Sequence, residues 1–236
     1  MYQYELRVTG ENALILYFTS GDVTENSQKG AAFAAYIKKH SDVEYVDIVP
    51  ANNNVTFFYQ TLNCSLIQVK REIRHLFTAW SNSSNESEIT SRIREVPVYY
   101  GPEVAFDIDD LSLQLALSCQ EIKQIHLSAQ YQVTAVGFAP GFPYMHGLNA
   151  KLETSRKQTP RIQVPAGAVA IAELQTAIYP TQSAGGWHII GNCPLPMFSL
   201  ENGAESYLAV GDNVRFVEIK KPEYLAMGGQ LDLVVR

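Results

Sequence analysis

The sequence predicts an α+β protein: a small N-terminal α+β domain over residues 1–88, then a domain of many short strands, a barrel or sandwich, over residues 89–236. Three observations predict it. Up to Trp80, short apolar runs of strand character alternate with longer stretches whose apolar residues recur at helical spacing. Ser81-Asn82-Ser83-Ser84-Asn85-Glu86-Ser87 holds no apolar side chain and reads as a linker. Beyond Tyr131, short strand-like runs are broken repeatedly by glycine and proline, the pattern of an all-β architecture.

Each element follows in order. Residues 4–9 and 13–18 flank Gly10-Glu11-Asn12 and read as a hairpin. Residues 25–40 are helical, with Phe33, Tyr36 and Ile37 on one face. Strands at 43–49 and 55–59 are joined through Pro50-Ala51-Asn52-Asn53-Asn54. A helix over 66–80 carries the stripe Leu66, Val69, Ile73, Leu76, Phe77 and Trp80, opened by a Ser65/Gln68 capping box. A strand is expected over 89–99 and a helix from Asp107, where Asp109-Asp110 suit a helix start. Ser118 and Glu121 form a second capping box, so another helix begins there and carries His126. Residues 207–217 read as strand, Gly-Asp-Asn turn, strand, and 231–235 as a last strand.

Tyr131 to Gly191 is the stretch richest in chemistry. In Gly137-Phe138-Ala139-Pro140-Gly141-Phe142-Pro143-Tyr144, glycine opens unusual backbone angles and proline closes others, so three rings project from a stiff path. Rigid aromatics suit a pocket wall; the pattern alone leaves open a loop that only packs the core. Arg156 and Arg161 are candidates to bind a carboxylate or phosphate through the guanidinium fork, or are two solvated surface charges. As ligand groups they would be dispensable for folding. Gly185-Gly186 before Trp187 allows close backbone approach beside a large ring. Gln175, Tyr179 and His126 are further polar candidates, although a histidine in His126's position is more often a core residue.

Taken together, GFAPGFPYMHGL, TPRIQVPAGAVAIAELQTAIYP and SAGGWHIIG resemble the 5-oxoprolinase B-subunit family, also called the allophanate hydrolase subunit 1 or KipI-type kinase A inhibitor family. The resemblance covers roughly Val96 to Phe198 well. It implies a cyclophilin-like barrel for the second domain. It also implies a subunit of an ATP-dependent enzyme that opens 5-oxoproline to glutamate, working with homologues of the A and C subunits. ATP would be a co-substrate of the complex. The implied groove runs through Phe138, Pro140, Gly141, Phe142, Tyr144, Gln175, Tyr179, Gly185, Gly186 and Trp187, with His126, Arg156 and Arg161 as catalytic candidates. The alternative it implies is a non-enzymatic module that binds and inhibits a sensor histidine kinase. Prolyl isomerisation is a weaker third reading, because a shared fold does not carry an activity. Departures are Ala168 for an expected serine, Glu173 and Ala177 for glycines, Ser155 for a proline, and Asn192-Cys193 for an Arg-Thr pair.

Composition excludes other classes. A net charge of −6 with no basic run argues against a nucleic-acid partner. No apolar run is long enough for a bilayer, and MYQYELRV is no signal peptide. The three scattered cysteines, Cys64, Cys119 and Cys193, suit reduced thiols and a cytoplasmic setting. No phosphate-binding loop, nucleophile elbow or metal-ligand spacing occurs. No metal is expected, and the chain is expected to be inactive by itself.

Overall fold

The computed structural model describes residues 3–82, 93–201 and 205–235. Two compact units divide the chain, Met1–Ser91 and Arg92–Arg236. Residues 83–88 of the expected linker lie outside the described residues; Ser81 and Asn82 end a helix.

In the first unit, β1 (Tyr4–Gly10), β2 (Ala13–Phe18), β3 (Tyr45–Ala51) and β4 (Asn54–Tyr59) form an antiparallel sheet of order β1-β2-β4-β3. Helix α1 (Val23–His40) starts two residues before the expected position, because Asp22 is its N-cap and accepts from the Glu25 amide at 2.8 Å. Helix α2 (Leu66–Asn82) opens with the predicted box: Ser65 N donates to Gln68 Oε1 at 2.8 Å, and Gln68 N to Ser65 Oγ at 3.3 Å. Its stripe buries Val69, Ile73, Leu76, Phe77 and Trp80 with Phe33 of α1 and Phe57 of β4. Phe33 meets Phe77 edge-on at 5.0 Å, a favoured aromatic geometry.

The second unit is built on a nearly closed seven-stranded sheet. Its strands are β5 (Ile93–Val98), β6 (Tyr131–Val136), β7 (Pro143–His146), β9 (Ala168–Ala172), β10 (Gln175–Ile178), β12 (His188–Asn192) and β15 (Asn213–Glu218), in the order β12-β9-β10-β7-β6-β15-β5. Reciprocal main-chain bonds between Tyr99, just past β5, and Asn192 of β12, both 2.9 Å, tie its two edges together and make it barrel-like. Among the described strands, only β5 and β15 pair in parallel. Two-stranded ribbons, β8 (Arg161–Val164) with β11 (Ser183–Gly185) and β13 (Phe198–Ser199) with β14 (Glu205–Ser206), are added outside it.

Alternation along the strands sets two layers of core. Val133, Met145, Val169, Ile171 and Ile178 join one cluster with α3 (Ile108–Leu115) and α4 (Cys119–Ser128). Ala168, Ala170, Ala172 and Ala177 face the other way, under Phe142, Tyr179 and Trp187. Two expected strands do not form among the described residues. Ala209 N donates to the Asp212 carboxylate at 3.0 Å, which tightens residues 207–212 into a turn, so only β15 remains of that pair. Residues 231–235 make no strand: the sheet edges are already bridged, and Leu231 and Leu233 instead pack beside Tyr224 of a short helix, α5 (Lys221–Ala226), which sequence reading missed. Among the described residues, no helix is long and apolar enough to cross a membrane.

Candidate functional site

The loop between β6 and β7 supplies the rings. Gly137 N donates to Phe142 O and Phe142 N to Ala139 O, folding residues 137–142 onto themselves. Gly141 takes φ +81°, and a Cβ there would lie 2.5 Å from the Met197 carbonyl oxygen, so glycine is a steric requirement. Phe138 takes φ +69°, a left-handed conformation that is costly for an aromatic residue, and stays 66% exposed. Phe142 is buried at the centre of the cluster, meeting Tyr179 at 5.1 Å and Trp187 at 6.1 Å, both edge-on. Tyr144 is half-buried and Pro140 exposed, so Phe138, Pro140 and Tyr144 give the cluster its solvent face. Gly185 is required as well, since a Cβ would sit 2.2 Å from the Tyr179 hydroxyl; Gly186 has no such neighbour. Burial pushes the Tyr179 phenol up to about 12, so it stays protonated and neutral.

The charges beside this cluster divide sharply. Asp107 is 1% exposed and is the hub. Arg161 grips it with both ends of the guanidinium, Nη1 to Oδ2 at 2.8 Å and Nη2 to Oδ1 at 2.6 Å. Lys157 Nζ donates to Oδ1 at 2.7 Å and Ile189 N to Oδ2 at 2.7 Å. Burial alone would raise the Asp107 carboxyl, but Arg161, Lys157 and the Ile189 amide hold it below its usual range. Arg161 therefore already holds a carboxylate, one belonging to the protein, and the expectation that its charge is dispensable for folding does not suit this geometry. Sequence reading missed Asp107 because an acid at a helix start passes for a cap. It stands at the N-cap of α3 yet makes no side-chain cap bond.

Arg156 is the cation left facing solvent at the cluster. Its side chain is 57% exposed, its guanidinium lies 5.9 Å from the Trp187 ring centroid, and Nε is 3.6 Å from Glu173 Oε1. Glu173 takes φ +54° at a turn, which explains why glycine is the residue expected there. Gln175 is paired with His146, its amide Nε2 2.7 Å from His146 Nε2.

His126 is fully buried. The Thr176 hydroxyl gives its hydrogen to Ala170 O at 3.1 Å, so it accepts from His126 Nε2 at 3.0 Å, and Tyr100 Oη donates to Nδ1 at 2.8 Å. Desolvation lowers the imidazole to about 3, which keeps it neutral. These bonds, with Phe216 stacked on the ring at 4.6 Å, place His126 in the core, away from the aromatic face. His188 donates Nε2–H to Ser155 O at 2.9 Å and so anchors the loop that carries Arg156. Among the described residues no group of three or more His, Cys, Asp or Glu could hold a metal ion.

Comparison with known proteins gives these residues a context. The family model described as "Carboxyltransferase domain, subdomain C and D" matches residues 4–208. The protein named as the B subunit of 5-oxoprolinase in Bacillus subtilis (strain 168) is 33% identical over 236 residues, 95% of this chain and 96% of that one. Its namesake in Escherichia coli O157:H7 is 34% identical over 176 residues, 75% of this chain and 79% of that one. The solved structure of TTHA0988 is similar at a TM-score of 0.77 and 30% identity over 92% of this chain; the match spans 41% of that longer chain. Kluyveromyces lactis urea carboxylase shares the fold, with a TM-score of 0.71 at 14% identity over 100% of this chain and 24% of that one.

Proposed function

Because the chain belongs to the family of 5-oxoprolinase B subunits, we propose that it is one component of an ATP-dependent 5-oxoprolinase that opens 5-oxo-L-proline to L-glutamate. Its partners in this reading are homologues of the A and C subunits. The observation that carries the reading is Arg156: a half-exposed guanidinium over Trp187, at the edge of a rigid aromatic face, paired only loosely with Glu173. A guanidinium in that setting suits the carboxylate of 5-oxoproline, with Phe138 and Tyr144 beside it to exclude water. The lactam carbonyl needs activation before water can open it, and phosphorylation of its oxygen by ATP supplies that. The nucleotide and the attacking groups are assigned to the partners, because the hydroxyl–imidazole contacts of His126 are sealed in the core. No observation favours the kinase-inhibitor alternative.

The test is 5-oxoproline-dependent phosphate release by the chain alone, with its partners, and with Arg156→Ala in the complex. We expect no turnover alone and turnover in the complex. Arg156→Ala is expected to raise KM by about tenfold or more, the worth of one charge-assisted contact, while the melting temperature stays put. Turnover by the isolated chain, or an unaltered KM in Arg156→Ala, would refute the assignment.

A further inference from the structure

Arg156 has a loosely held side chain on a tightly held backbone. Its guanidinium meets Glu173 at 3.6 Å and its side chain stays 57% exposed. The residues on either side of it are pinned to several elements of the barrel unit. Thr154 O accepts from Glu173 N, in the β9–β10 turn, at 2.5 Å, and Thr154 Oγ1 accepts from Gln114 Nε2 of α3 at 2.9 Å. Ser155 O accepts from His188 Nε2 of β12 at 2.9 Å. On the far side, Lys157 N donates to Gly186 O at 2.7 Å, and Lys157 Nζ donates to Asp107 at 2.7 Å. Residues 154–157 thus form a strap fastened by the neighbours of Arg156, while its own fork faces solvent.

His188 is the anchor that packing explains least. It is 7% exposed. A carbonyl can only accept, so Nε2 carries the hydrogen and Nδ1 keeps a lone pair. That Nδ1 is buried and has no hydrogen-bond partner. A buried polar atom left unpaired is costly and calls for an explanation. An apolar side chain at this point of β12 would avoid the cost. What the imidazole gains is Ser155 O, the carbonyl of the peptide bond that joins Ser155 to Arg156. A peptide bond is planar, so holding that oxygen fixes the plane from which Arg156 departs.

We propose that His188 is a positioning residue for Arg156, holding its backbone so that the guanidinium stands over Trp187 before a carboxylate arrives. It acts through the main chain and not on the substrate. Gln114 supports the same strap one residue earlier, from an exposed position on α3. Ordering the strap in the free protein removes part of the cost that binding would otherwise bear. The proposal rests on the assignment of Arg156 to the substrate carboxylate.

The experiment compares His188→Gln, whose amide nitrogen falls where Nε2 lies, with His188→Asn, which is a methylene shorter and does not reach Ser155 O. In the chain alone, Trp80→Phe leaves Trp187 as the remaining tryptophan. Arg156→Ala is expected to shift its emission by removing the guanidinium 5.9 Å from the ring. That shift should persist in His188→Gln and be largely lost in His188→Asn. In the complex, His188→Asn should raise KM for 5-oxoproline about three- to tenfold, the worth of ordering one side chain, with kcat held within about twofold. His188→Gln should restore KM. Should His188→Asn not fold, Gln114→Ala should weaken the emission shift and raise KM in the same direction. Equal behaviour of the two His188 variants, no Arg156-dependent shift in the parent, or a shift undiminished by loosening the strap would overturn the proposal. An unaltered KM in Arg156→Ala itself would instead strike the oxoprolinase reading, and the emission shift would then decide the positioning by itself.

Discussion

Arg161 and Arg156 sit five residues apart and carry the same group, yet their surroundings give them opposite work. Arg161 is 15% exposed and meets a carboxylate that is 1% exposed. Removing it leaves Asp107 buried with only Lys157 and the Ile189 amide, so the carboxylate loses the bidentate half of its donors. Arg161→Ala is expected to destabilise the second unit by about 2–3 kcal/mol, toward the lower end of the cost of breaking a buried pair because two donors remain. Urea unfolding at pH 7 measures it. A change within about 0.5 kcal/mol, the usual effect of a surface substitution, would show that the pair contributes nothing to folding. This asymmetry was not legible in the sequence: two arginines in one loop look alike until a distant aspartate, in a different part of the chain, reaches one of them.

At the level of the element, the β6–β7 loop shows how glycines of identical appearance differ. Gly137 and Gly141 frame the same short stretch. A Cβ at Gly141 would strike the Met197 carbonyl at 2.5 Å, with φ already at +81°. A Cβ at Gly137 meets nothing within 4 Å. Gly141→Ala is expected to cost about 2 kcal/mol or more through strain and clash, and Gly137→Ala to fall within about 0.5 kcal/mol. Thermal unfolding of the two variants side by side decides it; equal effects would mean the loop is not clamped to Met197. The sequence showed a stiff loop bearing rings, but the clamp depends on residues 197–198, far along the chain.

For the molecule as a whole, His126 and Asp107 are among the groups that tie the barrel unit to pH. His126 binds its proton near 6.5 when unfolded and only near 3 in the fold. The unfolded chain therefore holds more protons between those values, so stability is full above about 6.5 and declines as pH falls, by at most about 1.4 kcal/mol per pH unit. Asp107 acts lower: its folded value is depressed, so its contribution is present above the ordinary carboxylate range and is lost as pH falls through the folded value. We expect wild type to lose about 2 kcal/mol more than His126→Gln between pH 7 and pH 5. Unfolding followed by Trp187 emission in a Trp80→Phe background reports the barrel unit alone. Parallel pH profiles for the two proteins would mean that His126 is not held neutral.

Local sequence was enough to set most of the elements and the sides they bury. The hairpin, the two caps at Ser65 and Ser118, the stripe of α2 and the alternation of the barrel strands all rest on neighbours within a few residues, where spacing and capping chemistry act. The linked motifs of residues 137–191 likewise carried the family. What each polar group does was settled only when the chain came together in three dimensions. Asp107 reads only as the start of a helix and became the hub of an ion cluster; His126 reads as a core residue or a polar candidate, and its burial and two bonds decided for the core; Leu231–Val235 reads as a strand and found no edge to join. In the first two cases the outcome depends on partners 26 or more residues distant, and in the third on an edge already closed by Tyr99 and Asn192. Burial and pairing are properties of the assembled barrel, and no local pattern carries them.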